Sequence, residues 1–376
     1  MSESDAIRDP IRVLYLMHVD WHWVRQRPHA LAEELDRRPE MSVLVAYLPN
    51  WRRTRLGHNP SPVRRLPIPQ LPFGGRLSPV DRINRWLARR FLAVLGRAFR
   101  PQVVVIPYPT MYALLPGHLS RLPLVYDCMD LATGFARDAS ARRELERIER
   151  ELVAAATGVV ASSEFLARTV GARAQVIRNG ATRFEPLPDR RSADDDHGSV
   201  RLAYFGTVSE WLDFDLLTEL LGRDARVEID MWGPADIAVP AHGRLRWHGV
   251  VPHAELRAVV ADASALIMPF RLSDLIRGVD PVKLYEYVSL GRPVLSVYYP
   301  ELEQFRGLVT FFDGPAELAA LVEQLRRDPD RLAPDRRRAD AFLAASTWQA
   351  RGDQMAHVVA EAARGRPAQP APAGSS

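Results

Sequence analysis

A single lysine, Lys283, stands among 50 basic residues that are otherwise all arginine. It lies in the stretch 269–291, P-F-R-L-S-D-L-I-R-G-V-D-P-V-K-L-Y-E-Y-V-S-L-G, which follows an apolar run and opens a helix. Pro281 suits the first turn of that helix, and Asp280 is its expected N-cap. Unpaired amides at a helix N-terminus attract anions, and a cation in the first turn opposes the helix dipole unless an anion offsets it. An ammonium on a flexible stem suits a phosphate oxygen, so a diphosphate is the ligand these residues point to. Glu286 lies three residues on, on the same helical face, where its carboxylate would accept hydrogen bonds from sugar or ribose hydroxyls. A plain surface pair between Lys283 and Glu286, worth roughly a few tenths of a kcal/mol, accounts for the same two residues without a ligand.

A second dense group follows the first apolar run: His18, Asp20, Trp21, Trp23, Arg25, Arg27 and His29. Indole faces stack on sugar rings, and arginine pairs with carboxylate or phosphate. His18, Asp20, Trp23, Arg25 and Arg27 are therefore expected to line an acceptor pocket; a capped helix entrance with Trp in the core and Arg outside is the alternative. Asp127 and Asp130 end another apolar run, where one of them would act as general base or orient an acceptor hydroxyl, or would simply cap a helix.

Residues 81–100 carry Ile83, Trp86, Leu87, Phe91, Val94, Leu95 and Phe99 at helical spacing, interleaved with Arg82, Arg85, Arg89, Arg90, Arg97 and Arg100. Together with Arg52, Arg53, Arg55, Arg64 and Arg65 they form a basic region that suits an anionic membrane, or else an ordinary amphipathic helix on its own sheet. Residues 1–185 hold 28 Arg against 18 Asp and Glu, and the remainder 22 basic against 28 acidic residues, so the positive charge is concentrated in the first half. Nucleic acid is not expected as a partner, because no recognised binding module accompanies the charge.

The elements that must position these residues alternate between short apolar runs and amphipathic stretches. Strands are expected over 11–17, 41–48, 102–107, 122–126, 158–161 and 175–177, with helices over 25–37, 81–100 and 142–156. After a polar, proline-containing stretch at 185–199 the pattern restarts. Strands are expected there over 201–205, 227–232, 245–248, 265–269, 293–297 and 308–312. Helices are expected over 214–221, 254–261, 282–289, 315–326 and 347–364. Strands alternating with helices imply parallel sheets joined by right-handed crossovers, hence two doubly wound α/β domains. The expected boundaries are 1–184 and 200–346, with 365–376 a disordered tail. A hydrophobic content of 47% with 26% charged residues fits a soluble globular protein of 376 residues in two domains. One cysteine, Cys128, leaves no internal disulfide. No apolar run approaches the ~20 residues that span a bilayer, and residues 1–10 lack the apolar core of a signal peptide. The expected location is the cytoplasm, at the inner membrane face if the basic region docks there. Neither G-x-G-x-x-G nor G-x-x-x-x-G-K-[ST] occurs after a first strand, which argues against a dehydrogenase or a P-loop hydrolase.

The segment P-V-K-L-Y-E-Y-V-S-L-G-R-P-V resembles the donor-site helix of the GT-B superfamily, and is similar to that of the retaining family-4 glycosyltransferases of bacterial polysaccharide synthesis. Y-F-G-T-V-S-E-W-L-D (204–213), Gly233-Pro234, H-G-V-V-P-H-A-E-L (248–256), W-H-W-V-R-Q-R-P-H-A-L-A (21–32), V-Y-D-C-M-D (125–130) and I-R-N-G-A (177–181) agree with it in order. The resemblance covers about residues 11–364. It implies two Rossmann-like domains facing across a cleft, with 347–364 packing back on the first. It also implies transfer of a sugar from a nucleoside-diphosphate sugar, the co-substrate, to a hydroxyl of a glycan or lipid-linked acceptor; no metal and no other cofactor is expected, because the helix dipole, Lys283 and the arginines suffice to neutralise the leaving diphosphate. On that pattern Lys283 contacts the diphosphate and Glu286 the ribose. Gly206 and Thr207 approach the phosphate, and Gly249, Val250 and Val251 line the base pocket, supported by Glu255 and Leu256. Lys283, Asp127 and Asp130 are then the catalytic candidates. The sequence departs from the family's paired glutamates at Gly278, eight residues before Glu286, and lacks the basic residue that often follows the first glycine of the second domain. Arg271 and Arg277 are near enough in sequence to supply that charge. A sugar-nucleotide epimerase and a non-catalytic partner subunit remain as alternatives.

Overall fold

A computed structural model of the chain describes residues 9–50, 61–72, 78–171, 173–188 and 198–365. Arg52, Arg53 and Arg55, and the tail beyond residue 365, lie outside the described residues.

The chain forms two compact units, Met1–Asn179 with Trp348–Ser376, and Gly180–Thr347. The first runs β1 (Ile11–Met17), α1 (Arg27–Asp36), β2 (Met41–Tyr47), β3 (Arg64–Pro67), α2 (Ser78–Phe99), β4 (Val103–Ile106) and α3 (Pro109–Tyr112). It continues with β5 (Leu124–Cys128), α4 (Ala139–Ala155), β6 (Gly158–Ala161), α5 (Glu164–Val170) and β7 (Ala174–Val176). The strands make one parallel sheet in the order β3-β2-β1-β4-β5-β6-β7. Val13 pairs with Val43 on one side and Val103 on the other. Runs such as Val-Val-Val-Ile in β4 are apolar on both faces because helices cover both faces of such a sheet. Leu92 and Ala88 of α2 pack with Leu14, Leu16, Val104 and Ile106 in one of its cores. The short edge strand β3, Arg-Arg-Leu-Pro, has no apolar run to announce it; it exists by pairing with β2, Leu44 opposite Arg64.

The second unit runs β8 (Val200–Phe205), α6 (Phe214–Arg223), β9 (Val227–Trp232), β10 (Leu245–Trp247), α7 (Leu256–Val259), β11 (Ala265–Met268) and α8 (Asp274–Arg277). It ends with α9 (Val282–Ser289), β12 (Val294–Val297), β13 (Thr310–Phe312), α10 (Pro315–Arg327) and α11 (Arg336–Ala345). Its parallel order is β10-β9-β8-β11-β12-β13. The helix expected over 254–261 is only one turn of 3-10 helix, His253–Glu255, leading into the one-turn α7.

The boundary falls at Asn179–Gly180, earlier than the polar stretch at 185–199 suggests. The reason is packing: Leu187 is buried in the second core, Phe184 packs against it, and the Leu187 N–H donates to Leu290 O. The last helix, α12 (Trp348–Ala363), joins the first unit. It lies so close to α1 that a Cβ on Gly352 would come within 2.4 Å of Glu34 Cβ. No helix among the described residues is long and apolar enough to cross a membrane.

Candidate functional site

In a doubly wound sheet, ligands bind beyond the carboxyl ends of the two strands between which the order reverses. That point lies between β8 and β11 in the second unit and between β1 and β4 in the first.

In the second unit three neighbouring strand ends meet backbone to backbone. Gly206 follows β8 with φ +146°, and Gly233 follows β9 with φ +133°. A Cβ on Gly233 would lie 2.1 Å from Gly206 O, a separation only glycine permits. The Gly206 N–H donates to Trp232 O at 2.8 Å, and the Gly233 N–H to Gly249 O at 2.8 Å. Lys283 crosses this floor: a Cβ on Gly206 would stand 1.7 Å from Lys283 Cε. The ammonium lies 5.7 Å from the ring centroids of both Tyr204 and Phe270. Burial lowers its pKa to about 8, against the opposing pull of Glu286. Among the described residues Lys283 has no hydrogen-bond or ion-pair partner. A desolvated cation left without a counter-charge is unfavourable in the empty protein and favourable once an anion arrives.

The helix carrying Lys283 is fixed by Tyr287, whose hydroxyl donates to Phe205 O and accepts from Phe205 N–H, both at 3.0 Å. Asp280 is not its N-cap. Pro281 takes that position without a side-chain cap, and Asp280, buried, accepts from Tyr285 Oη and Gln304 Nε2. The first amides of α9 thereby have no side-chain cap among the described residues. Glu286 is nearly buried, and its Oε1 lies 3.0 Å from His253 Nε2; the His253 ring stacks on Phe184 at 4.8 Å. His253 was legible inside the H-G-V-V-P-H motif, but its bond to Glu286 spans 33 residues and has no local signal.

Arg271, expected to supply the missing positive charge, lies exposed beside α6. Its guanidinium is engaged by Asp215 at 2.8 Å and Asp213 at 3.4 Å. Arg277 stands exposed at the end of α8, and Gly278, buried, is that helix's C-cap. Thr207 is half-buried with its carbonyl accepting from Tyr204 Oη, while Val250 is exposed and Val251 packs against the core.

In the first unit the ends of β1, β4 and β5 present His18, Tyr108 and Asp130. The His18 ring stacks on Tyr108 at 4.6 Å. Burial lowers the His18 pKa to about 4, so the imidazole is neutral, and its buried Nδ1 meets no hydrogen-bond partner among the described residues. Asp130 is half-buried with no hydrogen bond to its carboxylate among the described residues. Burial raises its pKa to about 7, Arg27 pulling it down and Asp127 adding to the rise. Tyr108 is pushed up to about 12 by burial and then by Asp130. Its position two residues past a buried strand was the only sequence signal for it.

Asp127 and Arg27 are corrected from acceptor and catalytic candidates to a structural pair. Asp127 is fully buried inside β5, and Arg27 holds both its oxygens at 2.7–3.1 Å while donating to Ile177 O at 2.7 Å. Neither has an accessible group left for a substrate. Asp20 accepts from the His22 and Asn50 N–H groups at 2.8 and 2.6 Å, and Arg25 pairs with Glu33 at 2.7 Å, so both serve loop and helix geometry. Trp23 is half-buried beside them.

Two family descriptions match the chain, a glycosyl transferase 4-like domain over residues 24–186 and a glycosyl transferase-like domain over 215–357. A Bacillus subtilis protein, TuaH, provisionally described as a teichuronic acid biosynthesis glycosyltransferase, is 23% identical over 243 residues. That match takes in 57% of this chain and 61% of the relative, so the chain spans less than two thirds of that relative's length. Sucrose-phosphate synthase from Thermosynechococcus elongatus superposes with a TM-score of 0.73 at 14% identity, covering 93% of this chain and 98% of its own. Anabaena Alr3699/HepE, solved with UDP and glucose, does so with a TM-score of 0.66 at 16% identity, covering 93% and 100%. At these identities the likeness to the solved structures is one of fold.

Proposed function

We propose, for a chain that belongs to the GT-B glycosyltransferase superfamily, that it moves a sugar from a nucleoside-diphosphate sugar to a hydroxyl of a glycan or lipid-linked acceptor in the synthesis of a cell-surface polysaccharide. The observation that carries this is Lys283: the ammonium of the chain's only lysine lies across Gly206 at the switch point of the second unit with no partner among the described residues. A diphosphate there would meet the ammonium, the backbone at Gly206 and Thr207 and the uncapped amides of α9. These groups would stabilise the charge that develops on the leaving group, with no metal or further cofactor needed. Glu286, held by His253 through one oxygen, keeps the other for a ribose diol. Asp130, with its pKa near neutrality, orients the acceptor hydroxyl and takes its proton. The resemblance of residues 269–291 to the family-4 donor helix supports retention at the anomeric carbon, and the name of the teichuronic acid relative supports a polysaccharide acceptor.

A panel of UDP and GDP sugars read by thermal shift, followed by turnover with the stabilising donor, tests this. Lys283→Ala should fold and lose turnover; full activity in that variant sinks the assignment. Gly278, which presents no carboxylate where the family has an acid, favours a second reading as a non-catalytic partner subunit. Absence of binding to every member of the panel would select that reading, and consumption of donor without acceptor would select an epimerase.

A further inference from the structure

Eleven large hydrophobic residues are exposed among the described residues, and five of them, Leu66, Leu71, Ile83, Trp86 and Val94, lie on or beside β3 and α2. Trp86 is 57% exposed and Val94 66%. At 100° per residue Ile83, Trp86, Arg90 and Val94 share one side of α2, opposite the buried Ala88, Leu92 and Leu95. Arg82, Arg85, Arg89, Arg90 and Arg97 are all exposed on the same helix, whose only acid is Asp81. None of the five forms an ion pair among the described residues. In α4, Arg142 and Arg147 pair with Glu146, Glu144 and Glu151 of the same helix, and Arg85 of α2 lies near enough to Glu144 to help hold its carboxyl down, whereas Arg82, Arg89, Arg90 and Arg97 have no such acid among the described residues. Arg90 also sits over the Trp86 ring at 5.7 Å, presenting an indole and a guanidinium together.

We infer that this face of α2 docks on an anionic lipid surface, the apolar side chains entering the headgroup boundary and the arginines pairing with lipid phosphates. Exposed apolar area and unneutralised positive charge on one helix face are the two terms that drive interfacial binding. A second copy of the chain is a poorer occupant, since a two-fold contact would set like charges against each other. The patch is also well placed. In a parallel sheet a crossover helix starts at the carboxyl end of the strand before it. Leu71, just beyond β3, is bound to Asn84 of α2 by two hydrogen bonds, from Leu71 N–H at 2.6 Å and to Leu71 O at 3.1 Å. Leu71, Ile83 and Trp86 therefore stand at the end of the sheet that presents His18, Tyr108 and Asp130. Docking would bring those residues to a lipid-borne acceptor, a consequence that rests on the acceptor reading above; the docking itself does not.

Flotation of the full chain with phosphatidylcholine vesicles, with and without phosphatidylglycerol, tests the inference. The protein should float only with the anionic vesicles and be released by salt. Each arginine near an anionic leaflet multiplies partitioning about fivefold, so Arg82→Ala, Arg89→Ala and Arg90→Ala together should lower it about a hundredfold. Trp86→Ser should lower it about tenfold. These positions are exposed, so unfolding should be unchanged. Failure of the wild type to float, or flotation that the triple variant leaves intact, overturns the inference. So does a dimer in solution, or retention of RNA without vesicle binding, that the triple variant abolishes. Turnover of a soluble acceptor should be the same in the triple variant and the wild type, which separates failed docking from failed transfer.

Discussion

Replacing Lys283 by methionine should stabilise the protein while destroying its affinity for a sugar nucleotide. Burial takes the ammonium from its ordinary 10.5 to about 8, Glu286 opposing the fall without pairing, and no ion-pair partner stands among the described residues. At about 1.4 kcal/mol per pH unit, the charged side chain costs the fold up to about 3 kcal/mol at neutral pH. Methionine keeps the stem's packing against Gly206, Tyr204 and Phe270 and removes the charge, so a gain of about 1–3 kcal/mol is expected at pH 7. The pH dependence gives an independent check. The folded pKa lies below the unfolded one, so between about pH 8 and 10.5 the unfolded chain binds more protons and wild-type stability rises with pH. Lys283→Met lacks that rise, and the two proteins should converge towards pH 10. Denaturant unfolding at pH 7 and 9.5 measures the first effect, and calorimetry with UDP and GDP the second. A variant less stable than wild type at pH 7, or one that binds nucleotide normally, would show that the ammonium is not held for an anion.

Gly206→Ala should weaken donor binding by tenfold or more, because its methyl group would occupy the position of Lys283 Cε; φ of +146° adds about 1–2 kcal/mol of strain, measurable by calorimetry and unfolding together. Asp130→Asn should unfold like wild type yet lose roughly 10²–10⁴-fold in turnover. Wild-type kcat/KM should rise through about pH 7 as Asp130 loses its proton, and that limb should vanish in the variant. Asp127→Asn should instead cost about 3–5 kcal/mol of stability, since it leaves the buried Arg27 uncompensated. His253→Ala should raise KM for the donor and narrow discrimination between ribose and 2′-deoxyribose nucleotides, with kcat little changed, because Glu286 loses the group that orients it.

Much of the fold was legible because each element carries its own pattern. Apolar runs such as V-V-V-I and the alternation of strand with helix dictate two parallel sheets, and residues 269–291 announce an anion-seeking helix after a buried strand. Glycines such as Gly206 could be singled out by resemblance, but the reason for them is a contact with Gly233 and Lys283 that no local pattern contains. The same limit governs the aspartates. Asp127 and Asp130 are three residues apart, and only the order β1-β4-β5 brings Arg27 onto the first while leaving the second half-buried beside Tyr108. Sequence fixes which side chains a strand end can offer. Strand order, set by non-local packing, decides which of them are consumed by one another and which remain open to a substrate.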